Sequence, residues 1–597
     1  MNSFFKFSNS FLVCLLFLIS AGVNAQQITL LKNQKNILPF KRLDTLNIGV
    51  ISFGSFSETS FQKMLGNYTQ TWNYSFENTI DEESIESRKI LLKKHNLLII
   101  GIHSSSISEV QINSLLKEFN TIVVDFTNDH KTLGKLNTDN TEALLVTFNN
   151  SEIRQNVAAQ MLFGGMGVFG KLEKDLGNTF KKGNGIELMG EIRFKYAIPE
   201  EVGIDSRVLN YKIDSIANLV IDSAAAPGCQ IVIAKDQKII FKKAYGYQTY
   251  DKKVPVKTDD LYDFASVTKI TGPLPALMKL NDDGKFKLDD KFSTYWPDFV
   301  GTEKENIKVR EILAHYGQLQ PYLVYWKNTL KQNGKYKWFT IKPDSSKRFP
   351  LKISEDLYLN RNYNKKIYKE IKQSTLLKEK KYVYSGLSFL LYPQIIKNLS
   401  GESYEPYVKS NFYKPLGAYS LTFNPYKHYP VSKIIPTEND TFFRHIQLRG
   451  TVHDEAAAMF GGVSGNAGLF GTANDLAKLM QMYLNMGEYG GKRFIDQNVL
   501  EEFTRYQYED EGVRRGLGFD KPKLESKERG YVGVSASDRS FGHSGYTGAF
   551  TWVDPERDLL VVFLSNRVYQ TRENRKIYQL KIYQNLHQTL YDLILED

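Results

Sequence analysis

Four short, β-branched apolar runs punctuate the first quarter of the chain: LNIGVISFG (46–54), HNLLIIGIH (95–103), FNTIVVDFT (119–127) and EALLVTFNN (142–150). Polar, helix-length stretches such as SISEVQINSLLKEF lie between them. This alternation predicts a mostly parallel sheet with helices on its faces, an α/β sandwich over residues 26–175. Such a sheet often holds a ligand beyond its strand ends. No Gly-x-Gly-x-x-Gly or Walker loop follows any of these strands, so nucleotide binding has no support.

Residues 176–197, with Gly177, Gly183, Gly185 and Gly190, are expected to form a linker. The pattern then changes. Residues 198–228 give a turn and an amphipathic helix. Next comes a hairpin, CQIVIAKDQKIIFKKAYGYQ, turning at about Asp236–Gln237. A second hairpin, AFTWVDPERDLLVVFLSNR (549–567), turns at Asp554–Asp558, and a helix-length tail runs from Lys576 to about Ile594. Hairpins at both ends of residues 198–597 predict an α+β unit whose antiparallel sheet is completed by both ends of the domain. The middle is then a largely helical subdomain, and a cleft between the two parts is where a site would sit.

A chain of 597 residues is too long for one core, which agrees with two domains. The first 25 residues carry a lysine near the start, an apolar run of about ten residues and a small residue at Ala25, the pattern of a cleavable secretory leader. No later run reaches the ~18 apolar residues of a membrane span, so the expected product is exported and lacks a transmembrane segment. Cleavage would remove Cys14 and leave Cys229 alone, excluding an internal disulfide. Cys229 opens an apolar strand and is read as a small buried hydrophobe.

The net charge of +11 is concentrated in one segment. Residues 321–381 hold 14 Lys and 2 Arg against 2 Asp and 3 Glu, while the rest of the chain carries 61 basic and 61 acidic residues. The segment is also aromatic, with Tyr322, Tyr325, Trp326, Trp338, Phe339, Tyr358 and Tyr363. It is read as a basic insertion, solvated outside with aromatics packed beneath. Export argues against nucleic acid as its partner.

One pair of residues raises a question of chemistry. Ser266 and Lys269, in DFASVTKITG, fall on one face of a helix about a turn apart. The spacing alone decides little, because it recurs at Ser3/Lys6, Ser60/Lys63 and Ser114/Lys117. A serine hydroxyl needs a base within hydrogen-bond reach to become a nucleophile. A lysine serves only after giving up a proton, which burial and neighbouring cations favour. At a helix N-terminus, Ser266 would also meet partial positive charge.

Two later segments decide how the pair is read. YVYSGLSFLLYPQIIKNLSG places Tyr384 at the start of an amphipathic helix, and FGHSGYTGAF places His543, Ser544 and Gly545 before the last hairpin. Ser-x-x-Lys, then Tyr, then His-Ser-Gly resembles the serine β-lactamase and penicillin-binding protein superfamily, on its class C and esterase side. The flanks GGVSGNAGLFGTANDLAKLM and TGAFTWVDPERDLLVVFLSNR agree, and the likeness runs over nearly all of 198–590. The resemblance implies a β-lactamase-like fold with Ser266 as nucleophile, Lys269 as base and Tyr384 as proton carrier. It implies an oxyanion hole of the Ser266 and Tyr546 backbone N–H groups, with Ser544 and Gly545 against substrate. His543, where a lysine is common, would position Tyr384 or meet a substrate carboxylate. Two departures stand out. Gly386 replaces the Asn or Asp usual two residues after the tyrosine, and ILAHYGQLQPY lacks the Ser-Gly-Leu usual after its histidine.

ITLLKNQKNILPF (28–40) and VAAQMLFGGMGVFGKL (157–172) resemble landmarks of the C-terminal α/β domain of family 3 glycoside hydrolases. That family's catalytic carboxylate sits in a preceding barrel that this chain lacks, so glycosidase activity is not expected and the domain is read as a scaffold or docking module. The whole is expected to be an exported (secreted or periplasmic) serine hydrolase acting through an acyl-enzyme on an amide or ester, with a small molecule or peptidoglycan fragment as substrate. The alternatives are a carboxylic esterase, a β-lactamase, or a non-catalytic wall-binding protein of the same shape. His453 is read as a structural loop residue. No metal-ligand spacing is present, and no cofactor is expected.

Overall fold

A computed structural model describes residues 28–76, 82–524 and 528–595. The leader read over residues 1–25 lies outside the described residues. The chain divides into two compact units. One is built on the chain up to Glu201 and the other on Val202 onward, with Pro415–Gly417 and Gly490–Lys492 counted in the first.

The first unit holds strands β1 (Thr29–Asn33), β2 (Ile48–Phe53), β3 (Thr71–Phe76), β4 (Leu97–Ile102), β5 (Thr121–Asp125) and β6 (Ala143–Val146) in the order β1-β6-β5-β4-β2-β3. All pairs are parallel except β1 with β6. Helices α1 (Ser60–Tyr68), α2 (Glu82–Leu92), α3 (Glu109–Glu118) and α4 (Glu152–Phe163) complete three layers. Alternate strand residues feed two cores. Val50, Ile99 and Val124 pack with Phe61 and Leu65 of α1 and Leu162 of α4. Ile51, Ile100 and Val123 pack with Ile112 and Leu115 of α3. Every residue of β2, β4, β5 and β6 is therefore buried, which is why these strands read as unbroken apolar runs. β3, an edge strand with five of six positions partly or fully exposed, lacks that signature.

The expected linker at 176–197 belongs to this unit. Ile186 bridges to Leu30 and Leu188 to Val168. Arg193, buried, donates through Nη1 to the carbonyls of Phe40 and Phe163 at 2.5 and 2.9 Å. The glycines mark turns in a chain that folds back on the sandwich.

In the second unit, helix α5 (Ser206–Asp222) leads into the hairpin β7 (Gly228–Lys235) and β8 (Lys238–Gly246). Asp236 and Gln237 both take positive φ, +50° and +58°, the two-residue turn that matches strand twist. β9 (Phe541–Ser544), β10 (Phe550–Asp554) and β11 (Leu559–Ser565) join on the other side, giving the antiparallel run β9-β10-β11-β7-β8. The two ends of the domain thus complete one sheet, as the hairpin positions predict. α5, N-capped by Asp205, buries Leu209, Ile213, Ala217 and Val220 against Ile231, Trp552 and Phe563. The C-terminal tail joins the same core through Leu586 and Leu590, although Lys581 at φ +49° splits it into a short turn of helix and a separate helix, Ile582–Leu595. The fully buried helix Ala473–Leu484 packs on β7, β10 and β11. Cys229 is buried, and burial pushes its thiol up to about 12.

Candidate functional site

Ser266 sits in a single 3-10 turn, Ala265–Val267, that runs into the short helix Thr268–Thr271. The turn is strained, since Ala265 takes φ +44°. Asp263 holds it: Oδ1 accepts from Ala265 N–H (2.8 Å) and Oδ2 from His453 N–H (2.7 Å), and its carbonyl accepts from Thr547 Oγ1 (2.7 Å). Burial pushes the Asp263 carboxyl up, against the pull of these amides. On the other side, Thr268 Oγ1 accepts from Leu469 N–H at 3.1 Å. One buried acid therefore ties the serine turn to the loop after β9 and to the His453 loop.

Lys269, 2% exposed, donates from Nζ to Ser266 Oγ at 3.0 Å and to the Asn466 carbonyl at 2.9 Å. Its ammonium lies 5.2 Å from the Tyr384 ring centre and 5.5 Å from that of Phe389. Asn466 is itself fixed, accepting from Ser464 Oγ at 2.7 Å and donating to Asp454 Oδ1 at 2.9 Å.

Tyr384 stands in irregular chain, ahead of a 3-10 turn at Ser388–Leu390 and the helix Tyr392–Ser400, and does not start that helix. The expected helix start fails here because the segment's hydrogen bonds go sideways. Val383 N–H donates to the His315 carbonyl (3.0 Å), Ser385 N–H to His315 Nδ1 (3.1 Å) and Gly386 N–H to the Pro321 carbonyl (3.2 Å). His315, at φ +54°, thus grips the chain on both sides of Tyr384, with ring centres 4.6 Å apart. The His543 ring centre lies 5.9 Å from that of Tyr384, and its Nδ1–H donates to the Ser544 carbonyl at 2.7 Å. Arg515 adds a guanidinium 5.7 Å from the tyrosine ring. Tyr384 Oη, His315 Nε2 and His543 Nε2 are buried without a hydrogen-bond partner among the described residues. Burial first, then the Arg515 and Lys269 cations, holds both imidazoles well below their ordinary range and therefore neutral.

A cavity of about 550 Å³ opens over this group. Ser266, Lys269, Tyr384, Gly386 and Tyr546 are in its walls; His543, Ser544 and Gly545 are not. Gly545 instead meets the Phe264 carbonyl so closely that a Cβ there would lie 2.4 Å from it, which explains the glycine by packing. At Gly386 a Cβ would meet nothing within 4 Å. The backbone N–H groups of Ser266 and Tyr546 donate to no acceptor among the described residues.

The basic insertion contributes the wall Pro321–Trp326, but none of its lysines reaches the cavity. His453, Asp454, Glu455 and Arg572 also line it. His453 Nε2–H donates to Glu438 (2.9 Å), and Arg572 bridges Glu438 and Glu455 at 2.5 and 2.6 Å. Burial pushes Glu438 up, but these two partners overcome it and hold the carboxyl at about 2. Sequence reasoning missed Asp263, His315, Asn466 and Arg515. Asp263 alone left a local signal, an acid two residues before a strained turn. Among the described residues no group of three or more His, Cys, Asp or Glu side chains could hold a metal, and no helix is long and apolar enough to cross a membrane.

Comparison with known proteins adds to this geometry. The family described as Beta-lactamase matches residues 215–584. A Salmonella agona protein named "Putative D-alanyl-D-alanine carboxypeptidase" is 31% identical over 416 residues, covering 64% of this chain and 88% of its own. Among solved structures, EstCE1, a hydrolase with promiscuous acyltransferase activity, is 18% identical with a TM-score of 0.47, covering 64% of this chain and 99% of its own. The octameric penicillin-binding protein homologue from Pyrococcus abyssi is 20% identical with a TM-score of 0.46, covering 66% and 78%.

Proposed function

Because the chain belongs to the beta-lactamase family, we propose that it is an exported serine hydrolase acting through an acyl-enzyme on an amide or ester of peptidoglycan-derived material. The observation that carries this reading is the 3.0 Å contact of Lys269 Nζ with Ser266 Oγ in the wall of the cavity. Lys269, once neutral, takes the Ser266 proton as Oγ attacks the substrate carbonyl. The resulting oxyanion sits between the backbone N–H groups of Ser266 and Tyr546, each donor contributing roughly 3 kcal/mol. Tyr384 gives its own proton to the departing amine or alkoxide; its phenolate then takes a proton from the water that hydrolyses the Ser266 ester, and Lys269 returns its proton to the released Oγ. We assign no chemistry to the first unit.

The space beside Gly386 favours one alternative, a carboxylic esterase, since no side chain is present there to contact an amide. Peptide mapping after incubation of the chain, freed of residues 1–25, with benzylpenicillin separates the readings. A penicilloyl ester on the peptide carrying Ser266 is expected. Hydrolysis of small acyl esters without that adduct would favour the esterase. Neither adduct nor turnover, with wall fragments still bound, would leave a binding protein.

His315 is proposed to act by positioning. In His315→Asn, Oδ1 can still accept from Ser385 N–H, so kcat is expected to stay within about threefold, whereas His315→Ala should lose roughly 10- to 100-fold as the Tyr384 segment loosens. Equal losses in both would instead give Nε2 a part in the chemistry. The lowered value also sets a pH dependence. Unfolded His315 titrates near 6.5, but the folded side chain refuses the proton, so its contribution to stability is present above that pH and is lost as pH falls. His315→Asn should therefore show a shallower acid limb in thermal unfolding.

A further inference from the structure

Charge and aromatic character meet at one place on the surface of the basic insertion. Trp338 and Phe339 are 69% and 56% exposed, their rings 6.3 Å apart. Each ring carries a cation: Lys342 Nζ lies 4.0 Å from the Trp338 centre and Arg348 Cζ 4.6 Å from that of Phe339. The patch is mounted on a small antiparallel sheet, Ile341–Lys342, Leu357–Leu359 and Leu351–Ser354, whose Ile341, Ile353 and Leu359 are buried. In the same insertion, the helix Tyr363–Gln373 buries Tyr363, Ile367 and Ile371 and leaves Lys365, Lys366, Lys369 and Lys372 exposed. None of these lysines or exposed rings touches the cavity.

We propose that this face of the insertion docks the protein on the surface of an anionic lipid bilayer. The charge balance supplies the attraction, with all of the chain's net charge inside residues 321–381; each Lys or Arg near such a surface raises the affinity roughly fivefold. Charge alone would fit a soluble polyanion equally well. The rings decide for lipid. Phe339 has no polar atom to offer a polymer, and an exposed phenyl beside an exposed indole gains most by entering the headgroup and acyl boundary, with Lys342 and Arg348 remaining at headgroup level. Docking is independent of the catalytic reading, because no residue of the patch belongs to the site.

The test uses the chain without residues 1–25, whose apolar run would itself bind lipid. It is sedimented with phosphatidylcholine vesicles that contain or lack about 30 mol % phosphatidylglycerol. Binding to the anionic vesicles is expected, falling at least tenfold at high salt. Trp338→Ser with Phe339→Ser should weaken it roughly tenfold or more, with turnover of a soluble substrate unchanged. Equal binding to both vesicle types, or to neither, would overturn the proposal. So would binding to dextran sulfate without vesicle binding, which would make the face a polyanion surface.

Discussion

Replacing Ser266 with Ala is expected to cut turnover by roughly 10⁴-fold or more while leaving the melting temperature nearly unchanged. The hydroxyl is the atom that Lys269 Nζ addresses in the cavity wall, at 3.0 Å. Removing it does not strand the lysine, whose second acceptor, the Asn466 carbonyl at 2.9 Å, stays in place. Nor does it disturb the turn, which Asp263 holds through backbone amides. A structural serine would behave in the opposite way, shifting stability and sparing the rate. The measurement is kcat on a chromogenic cephalosporin and on a small acyl ester, beside thermal unfolding of the same samples. A rate within tenfold of the parent would mean that the chemistry belongs to another group.

The parts legible in the sequence are those whose physics is local. β2, β4, β5 and β6 are buried on both faces and announce themselves as apolar runs, whereas the edge strand β3 had nothing to announce. The hairpins at both ends of the second unit were visible because each turn sits between two apolar strands. Ser266 and Lys269 were visible because one turn of chain joins them. The setting of Tyr384 was not legible. The bonds that hold its segment come from His315, some seventy residues earlier, and no periodicity records a long-range hydrogen bond. Asn466 and Arg515 were missed for the same reason: one acts through a backbone carbonyl and the other by proximity to a ring. The linker failed differently, since glycines mark turns whether or not the chain then packs.

Tyr384→Phe should separate the chemistry from the architecture most cleanly. The phenyl ring keeps every contact the tyrosine ring makes: His315 at 4.6 Å, His543 at 5.9 Å, Lys269 at 5.2 Å and Arg515 at 5.7 Å. The hydroxyl alone is removed, and Oη is buried with no partner among the described residues. An unpaired buried hydroxyl costs about 1 to 3 kcal/mol, so the variant is expected to be no less stable than the parent. Turnover should nevertheless fall roughly 10²- to 10⁴-fold, the usual contribution of a positioned proton carrier. If Tyr384 mainly activates the deacylating water, the benzylpenicillin adduct on Ser266 should form and persist. If it mainly protonates the leaving group, adduct formation itself should slow, because the lactam nitrogen then departs unaided. Unchanged turnover would remove Tyr384 from the mechanism and leave Lys269 to carry both proton transfers.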